Sequence, residues 1–174
     1  MEYYFGIVPS MDIYEPILSL REEYNYRGSS EPHITVKASC GLSEDMGWLP
    51  LCQKIISNFG KISISVGSPN YFGDKDILYL EAHSNELNEL HRKLVHVFNP
   101  DEQQIKKCFE LDLYKPHITI ARKSNLGEEV IEEMKYKTGN YFETTKTFVA
   151  ESVKLFYRES REDKYKEKIE INFN

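Results

Sequence analysis

Apolar residues along this chain fall into two rhythms, a period of two and a period near three and a half, and their succession lays out the elements. Tyr3 to Val8 has the aromatic and β-branched content of a strand, broken by Pro9-Ser10. Ile13, Ile17, Leu20 and Tyr24 then recur at helical spacing, with Asp12 placed to cap the start. After Arg27-Gly28-Ser29-Ser30 the run His33 to Ser39 reads as a second strand. Ser43 is expected to cap a helix reaching about Phe59, with Met46, Leu49, Cys52, Ile55 and Ile56 on its inner face. Strands are expected at Ile62 to Val66 and Ile77 to Ala82.

From there the order restarts. The strand Ile77 to Ala82 leads to a helix from about Asn85 to Phe98, whose core stripe is Leu87, Leu90, Leu94 and Val97. A loop follows, then a strand from His117 to Ala121 and a helix from about Leu126 to Tyr136. Three further strands, Thr144 to Val149, Val153 to Tyr157 and Lys168 to Phe173, close the chain, the last two joined as a hairpin by a charged stretch that reads as a solvated loop. Strand, helix, strand and helix thus occur twice. The expected fold is α+β and bilobal: two pseudo-symmetric lobes of antiparallel sheet, helices on the outer faces, and a central cleft. One domain spans 1–174, with sequence repeats at approximately 2–68 and 76–157.

Composition narrows the class. With 174 residues, 40% of them hydrophobic and 29% charged, the chain has the make-up of a soluble globular domain with a substantial core. No apolar run is long enough to cross a bilayer, and Met1-Glu2-Tyr3-Tyr4 opens directly into a strand without a signal-like core, so a cytoplasmic, membrane-free protein is expected. A net charge of -6 argues against a grip on long duplex nucleic acid through many phosphates, while leaving room for a small phosphate-bearing ligand. Cys40, Cys52 and Cys108 are odd in number and irregularly spaced, so neither a disulfide framework nor a metal site is indicated and incidental thiols are expected.

Candidate chemistry enters through a tetrapeptide. Pro32-His33-Ile34-Thr35 recurs as Pro116-His117-Ile118-Thr119, once in each half, although the chain has only five histidines. Alternation along a strand points His33, Thr35 and Lys37 to one face, and likewise His117 and Thr119, with Ile34, Val36, Ile118 and Ile120 behind them. The proline before each histidine ends strand pairing at a set point. Two imidazoles suit phosphodiester chemistry, since each titrates near neutrality and one can accept a proton while the other donates. The Thr35 and Thr119 hydroxyls, with Lys37 and Arg122, are candidates to hold phosphate oxygens. Strict alternation turns Arg122 away from the histidines unless the strand bulges near Ala121.

These residues resemble the signature of the 2H phosphoesterase superfamily, which includes the 2′-5′ RNA ligase-like proteins and the 2′,3′-cyclic phosphodiesterases. His33-Ile34-Thr35-Val36 and His117-Ile118-Thr119-Ile120 both match its His-hydrophobic-Thr-hydrophobic element, the second continuing to Arg122, and the likeness covers almost the whole chain. It implies a bilobal fold with the motif strands lining a central cleft and His33 and His117 as catalytic acid and base. It also implies cleavage of a phosphoester beside a ribose hydroxyl, with no metal or cofactor, in a nucleotide or short RNA substrate. A monomer is expected. A nucleotide-binding module with little catalysis, and ligation as the reverse reaction, are the alternatives.

The remaining candidates are weaker. Tyr71, Phe72 and Tyr114 occupy loop positions from which a nucleobase could be stacked. His91 and His96 are spaced unsuitably for a shared metal, and His83 ends a strand, so surface or capping roles are expected for all three.

Overall fold

Alternation in the strand segments places one apolar row on a common side of the sheet, and helices cover that side. The computed structural model describes residues 1–174. Its strands are β1 (Glu2–Ile7), β2 (Ile34–Lys37), β3 (Ile62–Phe72), β4 (Ile77–His83), β5 (His117–Arg122), β6 (Lys146–Ala150), β7 (Ser152–Arg158) and β8 (Lys166–Asn172). All pair antiparallel in one sheet of order β6-β3-β4-β5-β2-β1-β7-β8. The order is a palindrome about the β5-β2 contact: β4 and β1, β3 and β7, and β6 and β8 occupy matching places. The two lobes are therefore the two halves of one sheet, and they meet where the two Pro-His-Ile-Thr elements lie side by side.

The helices are α1 (Met11–Glu23), α2 (Leu49–Ser57), α3 (Asn85–His96), α4 (Glu102–Cys108), α5 (Lys123–Leu126) and α6 (Glu128–Tyr141). A core of Ile7, Ile34, Val36, Ile64, Leu78, Leu80, Ile118 and Ile120, with Ile13 and Ile17 from α1, Cys52 and Ile56 from α2 and Leu87, Leu90 and Leu94 from α3, runs without interruption beneath both lobes. Each such aliphatic side chain, fully buried, contributes about 1.5–3 kcal/mol. The opposite face of the sheet is free of helices.

Several local expectations give way to tertiary detail. Ser10, rather than Asp12, stands at the cap position of α1. Pro16 inside that helix has no N–H for the Asp12 carbonyl, and the Lys146 ammonium donates to that carbonyl instead, at 2.9 Å. The helix expected from Ser43 starts only at Leu49, because Met46 adopts a left-handed φ of 55° and Pro50 sits in the first turn. The segment read as a loop after Phe98 contains α4, opened by a capping box between Asp101 and Gln104. Cys40 and Cys108, expected to be incidental thiols, are joined as a disulfide with Cα atoms 6.3 Å apart; Cys52 alone is free, and it is buried. Spacing could not reveal that bond, since it depends on α4 folding back over the end of β2. No helix is long and apolar enough to cross a membrane.

Candidate active site

Ile34 and Ile118 are the registered pair between β2 and β5, and both point into the core. One residue further on, the same antiparallel register sets His33 opposite Thr119 and Thr35 opposite His117. The two histidines are then diagonal neighbours on the open face, a relation that spans roughly 7–8 Å between backbones. Two His-x-Thr elements thus form a four-cornered cluster at the seam of the lobes.

Both imidazoles are held in the same way. His33 Nδ1 lies 2.7 Å from the Glu31 carbonyl, and His117 Nδ1 lies 2.7 Å from the Lys115 carbonyl, in each case two residues upstream. A carbonyl only accepts, so each neutral ring carries its proton on Nδ1 and presents Nε2 as the base. The Thr35 hydroxyl lies 3.2 Å from His33 Nε2, whereas His117 Nε2 has no partner within the protein. Burial pushes the His33 pKa down to about 4, aided by the charges of Arg21 and His117. Burial also lowers His117, with Arg122 adding to the effect. Both rings are poised neutral, and an anionic ligand between them would raise their affinity for protons.

Paired aromatic rings back each histidine. Tyr4 of β1 stacks on His33 at 4.6 Å between centroids and on Phe156 of β7 at 4.8 Å. On the other side Phe72 stacks on Tyr79 at 3.9 Å, and both present edges to His117, at 4.8 and 5.4 Å. Gly6, beside Thr35 in the register, leaves room for this arrangement: a Cβ there would lie 3.1 Å from Tyr4 and 3.3 Å from the His33 ring. The His33 side is further closed by Tyr165, edge-on to Tyr4 at 4.7 Å, whose N–H donates to the Ser29 carbonyl at 2.8 Å. Glu159 to Lys164 of the charged stretch are exposed, as expected of a solvated loop, and Tyr165 directly after them forms this wall. The His117 side lacks such a cap.

Matching bulges decide which cations reach the cluster. In β2 one extra residue lies between the pairs Phe5↔Lys37 and Gly6↔Thr35, and in β5 one lies between Leu78↔Ala121 and Tyr79↔Thr119. Each bulge turns the next residue toward the core, so Lys37 and Ala121 are equivalent and both buried. Lys37 is consequently not on the histidine face. It is 0% exposed, donates to the Ala38 and Cys40 carbonyls, and pairs with the buried Glu110 carboxylate at 2.6 Å. Arg122 gains by the same displacement. It is exposed, free of ion pairs, and close enough to bias His117.

The aromatic candidates divide likewise. Phe72 lies beside His117, but Tyr71 faces the other way, opposite buried Leu78, with the Lys135 ammonium 4.3 Å from its ring. Tyr114 is also committed elsewhere: its ring stacks on His91 at 3.7 Å and its hydroxyl donates to the Thr35 carbonyl at 2.8 Å. His91, expected at the surface, is 1% exposed and bonded at both nitrogens; His83 and His96 are exposed. Nothing in the local sequence singles out Tyr4, Tyr79 and Phe156, since an aromatic residue in a strand does not show which distant ring it will meet. Arg21 and His91 left a legible signal, each being a polar residue on the apolar stripe of its helix.

The profile of the 2′-5′ RNA ligase superfamily matches residues 9–162, a span that holds both His-x-Thr elements. The chain belongs to the 2′-5′ RNA ligase superfamily. Among curated protein sequences none matches it significantly. Among solved structures, it is similar to TT0787 of Thermus thermophilus, with 15% identity, a TM-score of 0.70, and 99% of this chain and 97% of that one covered. E. coli LigT complexed with 3′-AMP shows 13% identity and a TM-score of 0.63 over 99% and 97% of the two chains. A third structure, described as a phosphoesterase, shows 12% identity and a TM-score of 0.60 over 99% and 98%. These likenesses establish that the superfamily's two-lobed α+β fold extends across the whole of this member.

Proposed function

We propose that this superfamily member is a phosphoesterase that cleaves 2′,3′-cyclic phosphate or 2′-5′ phosphodiester linkages in nucleotides or short RNA, by paired-histidine acid-base catalysis without a metal. The observation that carries the reading is the equivalent setting of His33 and His117, each fixed through Nδ1 so that Nε2 is the basic nitrogen, at diagonal positions on one face of the sheet. A phosphate between them would touch one base and one acid. For a cyclic phosphate, one Nε2 takes a proton from water as it attacks phosphorus, and the other imidazolium returns a proton to the departing ribose oxygen. For a 2′-5′ linkage, the base takes the proton of the adjacent 3′-hydroxyl, which closes on phosphorus and releases a 5′-hydroxyl.

Thr35, Thr119 and Arg122 would hold the non-bridging oxygens, where charge grows in the transition state. Phe72 would contact the base or ribose. Small nucleotides are reasonable ligands because LigT, which shares the fold, has been captured with 3′-AMP, NADP+ and ATP. The superfamily's name keeps ligation in view, which is the second reaction run backwards: a 5′-hydroxyl opens the cyclic phosphate. The palindromic strand order fits a single unit over 1–174 built from repeats near 2–68 and 76–157.

The test is a panel of 2′,3′-cyclic mononucleotides, 2′-5′ dinucleotides and 3′-5′ dinucleotides in EDTA. Turnover of one of the first two classes is expected, with His33→Ala and His117→Ala each reducing it by roughly 10²–10⁴-fold. Thermal protection by nucleotides without any product would favour a binding module and defeat the catalytic reading.

A further inference from the structure

Direct pairing between the two motif strands is short, and three side chains add bonds at the seam of the lobes. Continuing the Ile34↔Ile118 register by two residues brings Pro32 opposite Ile120 and Pro116 opposite Val36. The ladder between β2 and β5 holds the Ile34↔Ile118 pair only, since Pro116 turns its carbonyl to the Ala82 N–H of β4, at 3.1 Å, and not to β2. The bulges in both strands fall at these same places. Backbone carbonyls at Thr35, Val36, Thr119 and Ile120 are left needing donors in a largely buried setting, where an unmet acceptor is costly.

The donors come from the other half of the chain in each case. Arg21, on α1, which lies between β1 and β2 in sequence but packs against β5, holds the second motif strand: its Nη2 donates to the Thr119 carbonyl at 2.7 Å and its Nε to the Ile120 carbonyl at 2.9 Å. Its Nη1 donates to the Ser30 carbonyl at 2.9 Å, so one guanidinium bridges both lobes. In the other direction, Tyr114 donates its hydroxyl to the Thr35 carbonyl at 2.8 Å, and His91 on α3 bonds the Val36 carbonyl through Nδ1 at 2.6 Å. His91 Nε2 accepts the Leu111 N–H at 2.9 Å, which settles Nδ1 as the donor. The Tyr114 ring lies flat on His91, 7° from parallel, so the two act together. The four carbonyls belong to the two threonines of the motifs and the residues that follow them.

We propose that Arg21, Tyr114 and His91 are positioning residues: by fastening each motif strand to residues of the other half of the chain they set the placement of His33 and Thr35 relative to His117 and Thr119. The proposal rests on the paired-histidine reading of the site. None of the three has to touch substrate. Without them the lobes are joined at the seam by one registered residue pair, and acid and base lie on separate sides of it. Misplacement of a reacting group by as little as about 1 Å costs up to about 10²-fold in rate.

Tyr114→Phe is the cleanest test, because it deletes one donor and keeps the ring on His91. Once an unchanged far-ultraviolet spectrum and a cooperative melt show the variant folded, kcat should fall about tenfold with KM within about twofold, as loss of alignment without loss of binding requires. Arg21→Met should act similarly and Arg21→Lys should recover part of the rate. Combining Arg21→Lys with Tyr114→Phe should give a non-additive loss, since both bear on one seam. Wild-type kcat in folded Tyr114→Phe overturns the proposal, as does a loss that appears wholly in KM. If the wild-type protein turns over no phosphodiester, the catalytic reading fails instead, and the positioning claim is then read from NMR titration of the imidazoles. Displaced His33 and His117 resonances in Tyr114→Phe and Arg21→Lys would sustain it; resonances identical to wild type would defeat it.

Discussion

Ile34 and Ile118 face one another across the midline of the sheet, both completely buried, and everything on the open face takes its place from that pair. Because successive side chains alternate, sinking these isoleucines into the common core obliges His33, Thr35, His117 and Thr119 to stand on the other side. A slip of one residue in either strand would bury a histidine and expose an isoleucine, so the hydrophobic effect guards the geometry of the polar cluster.

The buried ion pair at the end of β2 yields a first prediction. Lys37 and Glu110 are 0% and 1% exposed, and removing one partner of such a pair leaves the other charge buried alone, a cost of about 3–5 kcal/mol. Lys37→Met should lower stability to urea by about that much. Adding Glu110→Leu should recover much of it, and activity per folded molecule should stay near wild type in the double variant. A specific loss of phosphate affinity with stability intact would return Lys37 to the site.

Phe72 and Tyr71, adjacent in sequence, should behave oppositely. Phe72→Ala removes the ring beside His117 and is expected to raise KM for nucleotide substrates by roughly 5–100-fold, the range of a lost base stack of about 1–3 kcal/mol. Tyr71→Ala, on the α6 side of the sheet, should leave KM unchanged. Steady-state kinetics on both variants decide it, and equal effects would contradict the face assignment made by the β3-β4 register.

Joining Cys40 to Cys108 closes a loop with a sequence separation of 68, which on chain-entropy grounds restrains the unfolded state by about 4 kcal/mol. Cys108→Ser, or reduction by dithiothreitol, should therefore lower the unfolding free energy by up to about that amount. Denaturation of oxidised and reduced protein measures it directly, and coincident curves would show that the bond does not constrain the chain.

Acid should destabilise the fold through two histidines withdrawn from water. Burial holds both His33 and His91 down to about 4, below the ordinary 6.5, so the folded protein keeps them neutral while the unfolded chain protonates them. Stability from these groups is present in full above about pH 6.5 and is lost as the pH falls toward 4, by an amount on the order of 3 kcal/mol for each. In His91→Asn, which keeps a donor for the Val36 carbonyl but has no basic nitrogen, the fall in unfolding free energy between pH 7 and 4.5 should be shallower. A slope identical to wild type would show that His91 does not drive it.

The strands and the motif geometry were legible because they obey a local rule. All eight strands lie on the period-two runs, although β3 continues past Val66 to Phe72 and so takes in Tyr71 and Phe72, expected in a loop; the His-Ile-Thr alternation sorts catalytic candidates from core within a few residues, with no need of the rest of the chain. What local rules cannot supply is the effect of partners distant in sequence. Strict alternation sent Lys37 to the cleft and Arg122 away from it; bulges specified by pairing with β1 and β4 reversed both. The disulfide, the Lys37–Glu110 pair, the aromatic rings behind each histidine and the crossed bonds from Arg21, His91 and Tyr114 all join residues whose sequence neighbours say nothing of one another. The amino-acid sequence by itself determined which residues are the candidates for the chemistry and which face they share, because side-chain direction follows from backbone period. Only the tertiary structure decided which charges reach that face and how the two halves are held in register, because those depend on burial and on donors brought from the other half of the chain.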